Sequence, residues 1–599
     1  MSPTSKSRII GLACAFALLG CALATYPVAR LGMTDDWSYF ITARILAQTG
    51  HIVYNGWATA MIGWQLYWGA LFIRLFGASM TSLRASTLLV SMATAYFAHR
   101  TMVRVGIGDR NAAVGTLALA LSPLFLPLAL SYMTDISGLF VIVFCVYACL
   151  RALQTQSNRS VLTWLAVAAL TNAVGGTARQ IAWLGVLVMV PSTVWLLRKR
   201  PNVLFLGIAL YALSLLIVFG SLHWLSLQPW SIPEPLVPGR VGIAQLFISL
   251  RMYARCLASL GIFLLPFLAA FVLPLAKRNR RMFVLLVAAG LLAGGACGLV
   301  WNHMHKLSVI IFPFLRYTVM ERGLVNWALL RTDRPEVLSV GVRVAISACM
   351  LLAVLCFAGF LFLIRQRNEA TPDARPAAVP EAVSRAIPNS PPMTPWHTLL
   401  VLLGPFTLAY FALLWPRAAF AFNEVEDRYL LPLVFLGILL IVRLYQDSVR
   451  PNLPLVTYAI ALLFAAFAVA GTHDVFSMYR ARSAAVDELV AAGVPANSIE
   501  AGMEYDGTIQ VERYGHINEP RIRVPANAFV HYPSPFPDYC EPYGRELTPA
   551  LIPGYVLTYD PGVCGGPSTF APVTYHAWLA PHTVTIYIAK TFKDQAAKH

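Results

Sequence analysis

The sequence predicts an α-helical polytopic membrane protein of about thirteen transmembrane helices, with a small C-terminal α/β extracytoplasmic domain. Three observations predict it. The 599-residue chain is 58% hydrophobic and only 12% charged, where a soluble chain is about a quarter charged. Its apolar runs recur at lengths near the ~20 residues that cross a bilayer. Residues 471–599 are a different material, with a helical pattern over 477–492, short β-rich runs, and Pro and Gly as punctuation. The net charge of +17 sits in short basic clusters between apolar runs, which serves membrane topology and does not point to nucleic acid.

The elements follow in order. Lys6 and Arg8 precede the first apolar run and place the N-terminus in the cytoplasm. Leu18-Leu19-Gly20-Cys21 imitates a lipoprotein cleavage box, but the apolar run continues past it to Ala29, so 9–29 reads as an uncleaved first span. Asp35-Asp36, in MTDDWSYF, then emerge outside. Residues 30–82 form the first outer loop. Within it 60–77 is apolar but interrupted by Arg74, and Trp64, Tyr67 and Trp68 suit the membrane interface. If 60–77 crossed, the cluster Arg100, Arg104 and Arg110 would fall outside, so it is read as interfacial.

Spans two and three are then expected at 83–100 and 111–130, which brings Asp135 to the outer face. Span four is expected at 136–152, five at 160–175, six at 181–197, seven at 203–225 and eight at 257–276. Nine is expected at 282–300, ten at 342–364, eleven at 396–415, twelve at 429–445 and thirteen at 453–470. Residues 365–395 read as a Pro- and Ala-rich cytoplasmic linker. Every strong basic cluster lands inside, and the odd span count places 471–599 outside. In that tail, 521–524 and 582–588 read as β-rich. Cys540 and Cys564 stand apart from eight cysteines in or beside the apolar spans and are candidates for a disulfide in an oxidising compartment.

Carboxylates gathered at one face of a mostly apolar chain point to chemistry there, because a carboxylate beside a bilayer is costly to hold. An external face has no ATP, so group transfer needs a pre-activated donor, and lipid-linked phosphosugars fit. Transfer to a hydroxyl needs a base, commonly a carboxylate, and cations for the departing phosphate. Asp35 or Asp36 suits the base, although Thr34 or Asp35 also suits a helix cap. Asp135, in YMTDISGLF, has the same two readings. Arg179, in GGTARQIAW, and Arg428, in FNEVEDRYLLPL, are candidate phosphate ligands. Arg428 also suits a pair with Glu426 or Asp427. Lys306, Arg316 and Arg322 are weaker candidates in the loop after span nine. His303 and His305 lack a defined third ligand and read as interfacial polarity. No metal site is assigned, yet an acidic pair suits a divalent cation and leaves metal dependence open.

With these residues in place the chain resembles the C-fold (GT-C) glycosyltransferases, in the family 39 branch with the protein O-mannosyltransferases and bacterial aminoarabinose transferases. Asp35-Asp36, YMTDISGLF at 132–140, GTARQ at 176–180 and DRYLLPL at 427–433 carry the resemblance, which covers most of 1–470. It implies a transmembrane glycosyltransferase domain over 1–470 and an undecaprenyl-phosphate-linked sugar donor in a bacterial inner membrane. It further implies inverting transfer at the periplasmic face to a lipid, glycan or protein acceptor. It implies Asp35 as the general base, with Asp36 supporting it. The family pair is often Asp-Glu, and the shorter Asp36 here leaves the division of roles open. The competing readings are an O-antigen ligase or polymerase, which would lean on outer arginines, and a flippase or transporter without chemistry.

Overall fold

The structure is a computed structural model that describes residues 3–233, 242–304, 310–325, 329, 332–370, 394–419, 425–533, 540–541 and 544–591. The helices run α1 Pro3–Ala24, α2 Asp36–Thr49, α3 Gly63–Phe76, α4 Met80–Val105, α5 Asp109–Ala120, α6 Phe125–Ala129, α7 Thr134–Leu153 and α8 Asn158–Gly175. They continue as α9 Val190–Leu196, α10 Pro201–Ser226, α11 Ile243–Phe263, α12 Leu265–Leu268, α13 Val272–Arg278 and α14 Arg280–His303. The rest are α15 Val340–Ala370, α16 Trp396–Ala419, α17 Leu431–Ser448, α18 Leu455–Ala491 and α19 Met503–Tyr514. The chain is a multi-pass membrane protein: among the described residues, nine helices are long and apolar enough to cross a bilayer.

The other four expected spans also fall on helices, each with a reason for reading as less apolar or irregular. In α4, on the second expected span, Ser86, Thr87, Ser91, Thr94 and Thr101 donate their hydroxyls to carbonyls three or four residues back. That satisfies them without a partner helix and lets a polar sequence stay buried. The third is broken after Ala120 and resumes as α6. The fifth is the 18-residue α8. The sixth is a patchwork over Gln180–Leu196, because the Asn172 side chain accepts from the Val186 N–H at 2.7 Å and diverts it from the helical ladder.

Boundaries also moved. Helix α1 stops at Ala24 rather than Ala29. The eighth span starts earlier, at Ile243, and is interrupted at Leu264, where Pro266 withholds a backbone donor. Residues 365–370 of the expected linker continue α15, and 371–393 lie outside the described residues. Helix α3 has 14 residues, ~21 Å, too short for the ~30 Å hydrocarbon core. Leu66, Ala70 and Ile73 are buried on one of its faces, while Tyr67, Leu71 and Leu75 are exposed on another.

The tail does not begin at a break near 470. Helix α18 is one rod of 37 residues, ~55 Å, so its C-terminal part stands clear of the bilayer and becomes the spine of the tail. The Asp474 carboxylate on it accepts from the Trp578 and Leu579 N–H groups at 2.6 and 3.0 Å. Farther along, Arg482 pairs with Glu504 at 2.9 Å, and the Tyr479 hydroxyl donates to the same carboxylate.

The tail carries β3 Ile499–Glu500, β4 Tyr555–Thr558, β5 Val573–His576 and β6 Thr583–Lys590, following the short hairpin β1 Val319–Met320 and β2 Gly323–Leu324. The sheet order is β3-β4-β6-β5, parallel only between β3 and β4. The 582–588 run is the strand expected. The 521–524 run is not a strand: Arg521 folds back onto Glu519, and the Val524 carbonyl accepts from the Trp230 N–H of the segment after α10. Cys540 and Cys564 are joined in a disulfide.

Candidate active site

Four elements bring charged groups to one end of the bundle: the start of α2, the start of α7, the turn after α8, and the 3₁₀ turn Asp427–Leu430 before α17. Thr34 lies in the left-handed region at φ 62°, an uncommon setting for a β-branched residue. That turn sends the next two carboxylates in opposite directions.

Asp35 faces outward, with its side chain 27% exposed. It occupies the N-cap position of α2, yet its side chain makes no cap hydrogen bond. Instead it accepts from the Trp57 indole N–H at 3.0 Å, the Tyr317 hydroxyl at 3.3 Å and Arg428 Nη2 at 3.4 Å. Asp36 faces inward and is fully buried. It accepts from the backbone N–H groups of Met33 at 2.5 Å and Tyr132 at 3.0 Å. A Cβ on Gly32 would lie 2.5 Å from Asp36 Oδ1, so only glycine lets this loop close over the carboxylate. Asp36 thus ties the Asp35 loop to the segment preceding Asp135.

Burial, offset in part by Arg84, pushes the Asp36 carboxyl up from 3.8 to about 7. A carboxyl raised in the folded chain contributes stability that is complete below the unfolded value of 3.8 and is lost as pH rises through about 7. The melting temperature of the purified chain is therefore expected to fall across that window, and Asp36→Asn is expected to flatten the fall. A variant retaining the full slope would remove Asp36 as its source.

Asp135 is closed off, with its side chain 2% exposed. It does not cap α7. Its carboxylate pairs with Arg179 at 2.8 Å and Arg428 at 3.4 Å. Arg179 also donates to Thr134, and its guanidinium lies over the Tyr429 ring at 4.9 Å. Arg428 is the hub. It pairs with Asp35, Asp135 and Glu426, and its guanidinium carbon stands 3.9 Å from the Tyr317 ring centroid. The neighbouring Asp427 points away and accepts from the Thr318 and Val319 N–H groups at 2.9 and 2.8 Å, which fixes the loop carrying Tyr317.

The structure therefore brings together Asp35, Asp135, Arg179 and Arg428, and sets Asp36 beneath them. Arg316 pairs with Glu321 at 3.4 Å and Arg322 with Asp333 at 2.9 Å. Lys306 and His305 lie outside the described residues, and His303 is exposed. Among the described residues no three His, Cys, Asp or Glu side chains are grouped to hold a metal ion. Sequence reasoning missed Trp57, Tyr317 and Glu426 as members. Glu426 was legible only as a rival partner for Arg428. An isolated Trp or Tyr in a loop carries no mark of the carboxylate it will meet.

Three carboxylates share two guanidiniums here. A carboxylate open to solvent beside a fixed cation can take a proton from an incoming hydroxyl, and the cation can meet a developing phosphate charge.

No family's sequence profile matches the chain, and no curated protein matches it. Among solved structures it is similar to ArnT from Cupriavidus metallidurans bound to undecaprenyl phosphate, at 14% identity over 97% of each chain and a TM-score of 0.36. It is also similar to the archaeal oligosaccharyltransferase AglB from Archaeoglobus fulgidus, in complex with an inhibitory peptide and a dolichol-phosphate. That match has 14% identity over 91% of this chain and 64% of that one, with a TM-score of 0.38. The S. cerevisiae protein O-mannosyltransferase Pmt1-Pmt2 complex bound to the sugar donor matches 37% of this chain and 32% of that one, at 13% identity and a TM-score of 0.30. At these identities and TM-scores the activity rests on the geometry of the site itself.

Proposed function

We propose that this chain is a membrane glycosyltransferase that moves a sugar from a polyprenyl-phosphate carrier to a hydroxyl of a lipid, glycan or protein acceptor. The reaction takes place at the face bearing Asp35, with the N-terminus cytoplasmic and the disulfide-bearing tail periplasmic. The observation that carries the proposal is the pairing of a partly open carboxylate, Asp35, with a buried guanidinium, Arg428, at 3.4 Å. Asp35 takes the proton of the acceptor hydroxyl as that oxygen bonds to the anomeric carbon. The bond from this carbon to the phosphate oxygen breaks, and the lipid phosphate leaves with its electron pair. Arg428, oriented by Asp135 with Arg179, meets that charge. Asp36 holds the loop in register and does not touch substrate.

Purified protein in lipid vesicles with polyprenyl-phosphate sugars and membrane extract is expected to form a glycosylated product of inverted anomeric configuration. A site built on Asp35 and Arg428 that forms no product with any such donor would sink the proposal. Glu426 competes with the donor phosphate for Arg428. Glu426→Gln is therefore expected to lower the donor KM about fivefold, in line with the loss of a partly exposed pair worth about 1 kcal/mol. A raised donor KM would mean that Glu426 assists binding instead.

A further inference from the structure

The first outer loop is held in part by the tail. The Asn55 carbonyl accepts from the Ile517 N–H of the tail at 2.8 Å, while its side chain exchanges hydrogen bonds with Ser38 of α2. Gly56 follows with φ 77°, and a Cβ there would lie 2.7 Å from the Ile522 side chain of the tail. The Gly56 N–H donates to the Trp230 carbonyl, and the Trp230 N–H to the Val524 carbonyl. The Trp230 indole also stacks on His516 at 3.8 Å. The next residue is Trp57, whose indole N–H reaches Asp35. Trp57 packs against Trp37 at 5.5 Å between ring centroids. Trp37 in turn lies against α19, where a Cβ on Gly507 would come within 2.5 Å of its ring. Trp37, Ile41, Val511 and Ile517 form a small core of their own, half from α2 and half from the tail.

We infer that the tail domain completes the active site by clamping residues 55–57, and that Trp57 is a positioning residue for Asp35. The inference rests on the reading of Asp35 as the base. The indole N–H holds Oδ1 while Tyr317 and Arg428 hold Oδ2, which fixes the rotation of the carboxylate and leaves one lone pair, on Oδ1, for the acceptor hydroxyl. Trp37 and Gly507 set how far Trp57 can approach. The tail thereby has a part in turnover without contributing a residue that touches substrate.

The test uses the full-length chain in vesicles, with Asp35→Asn measured alongside. Trp57→Phe keeps the ring and removes the N–H. It is expected to lower kcat about tenfold at unchanged KM for donor and acceptor, the scale of one lost hydrogen bond to a charged group. Gly507→Ala is expected to lower kcat similarly by pushing on Trp37, and Trp37→Phe in the same chain is expected to restore most of it by removing the clashing outer ring. A purely structural role would not produce a loss confined to kcat. Full kcat in Trp57→Phe, or a change confined to KM, overturns the inference while an inactive Asp35→Asn leaves the base assignment standing. An active Asp35→Asn removes the base assignment itself. If Gly507→Ala fails to melt cooperatively, Trp57→Phe alone decides.

Discussion

Asp35→Asn is expected to lower turnover about 10³-fold with little change in the KM of either substrate, within the usual range for removal of a general base. Asparagine is nearly isosteric, and its carbonyl oxygen can still accept from Trp57, so the loop geometry should survive. What is lost is the ability to take a proton. Asp35 is the residue to lose because it is part of the charged cluster, partly open to solvent and free of any capping duty. Asp135 is enclosed between two arginines, and Asp36 is turned onto backbone. Asp35→Glu is expected to recover only part of the rate, since one added methylene displaces the oxygens from the position that Trp57, Tyr317 and Arg428 define. Initial rates in vesicles, with a thermal melt as control for folding, measure both. Wild-type turnover in Asp35→Asn would remove this residue from the chemistry.

Arg428→Met is expected to cost about 3 kcal/mol of stability as well as at least ~10² in turnover. The side chain is 7% exposed and compensates Asp35, Asp135 and Glu426 at once. Methionine fills similar space but removes the cation those three carboxylates share, while Arg179 still reaches Asp135. Most of the cost is the excess of negative charge left around one guanidinium rather than the lost attraction. Adding Asp135→Asn should therefore return part of the stability and none of the turnover, a non-additivity that a double-mutant cycle reads directly. Arg428→Lys keeps the charge as a point and loses the planar fork that serves several carboxylates, so an intermediate result is expected. An Arg428→Met chain as stable and as active as wild type would contradict the hub role.

Much of this was legible before the fold was known. The apolar runs of the sequence fall on helices, nine of which, among the described residues, are long and apolar enough to cross a membrane. The run interrupted at Arg74 is the 14-residue helix α3, with one apolar face exposed. The patchwork over Gln180–Leu196 was not legible, because its cause is one side-chain amide on the preceding helix. The 521–524 run reads as a strand by propensity, but it is spent on contacts with Glu519 and Trp230. Local propensity is a weak guide where tertiary partners compete for the same backbone groups.

The sequence by itself determined the membrane class, the placement of most helices and the short list containing Asp35, Asp36, Asp135, Arg179 and Arg428. Those follow from hydropathy and charge, which act residue by residue along the chain. Only the tertiary structure shows that Asp35 and not Asp36 pairs with Arg428, that Glu426 shares that guanidinium, and that Trp57 bonds to Asp35. Thr34 turns two adjacent carboxylates apart, and the elements that meet around Arg428 are nearly four hundred residues distant in the chain. Such contacts depend on rotations and close approaches of a few ångströms, and hydropathy does not encode them.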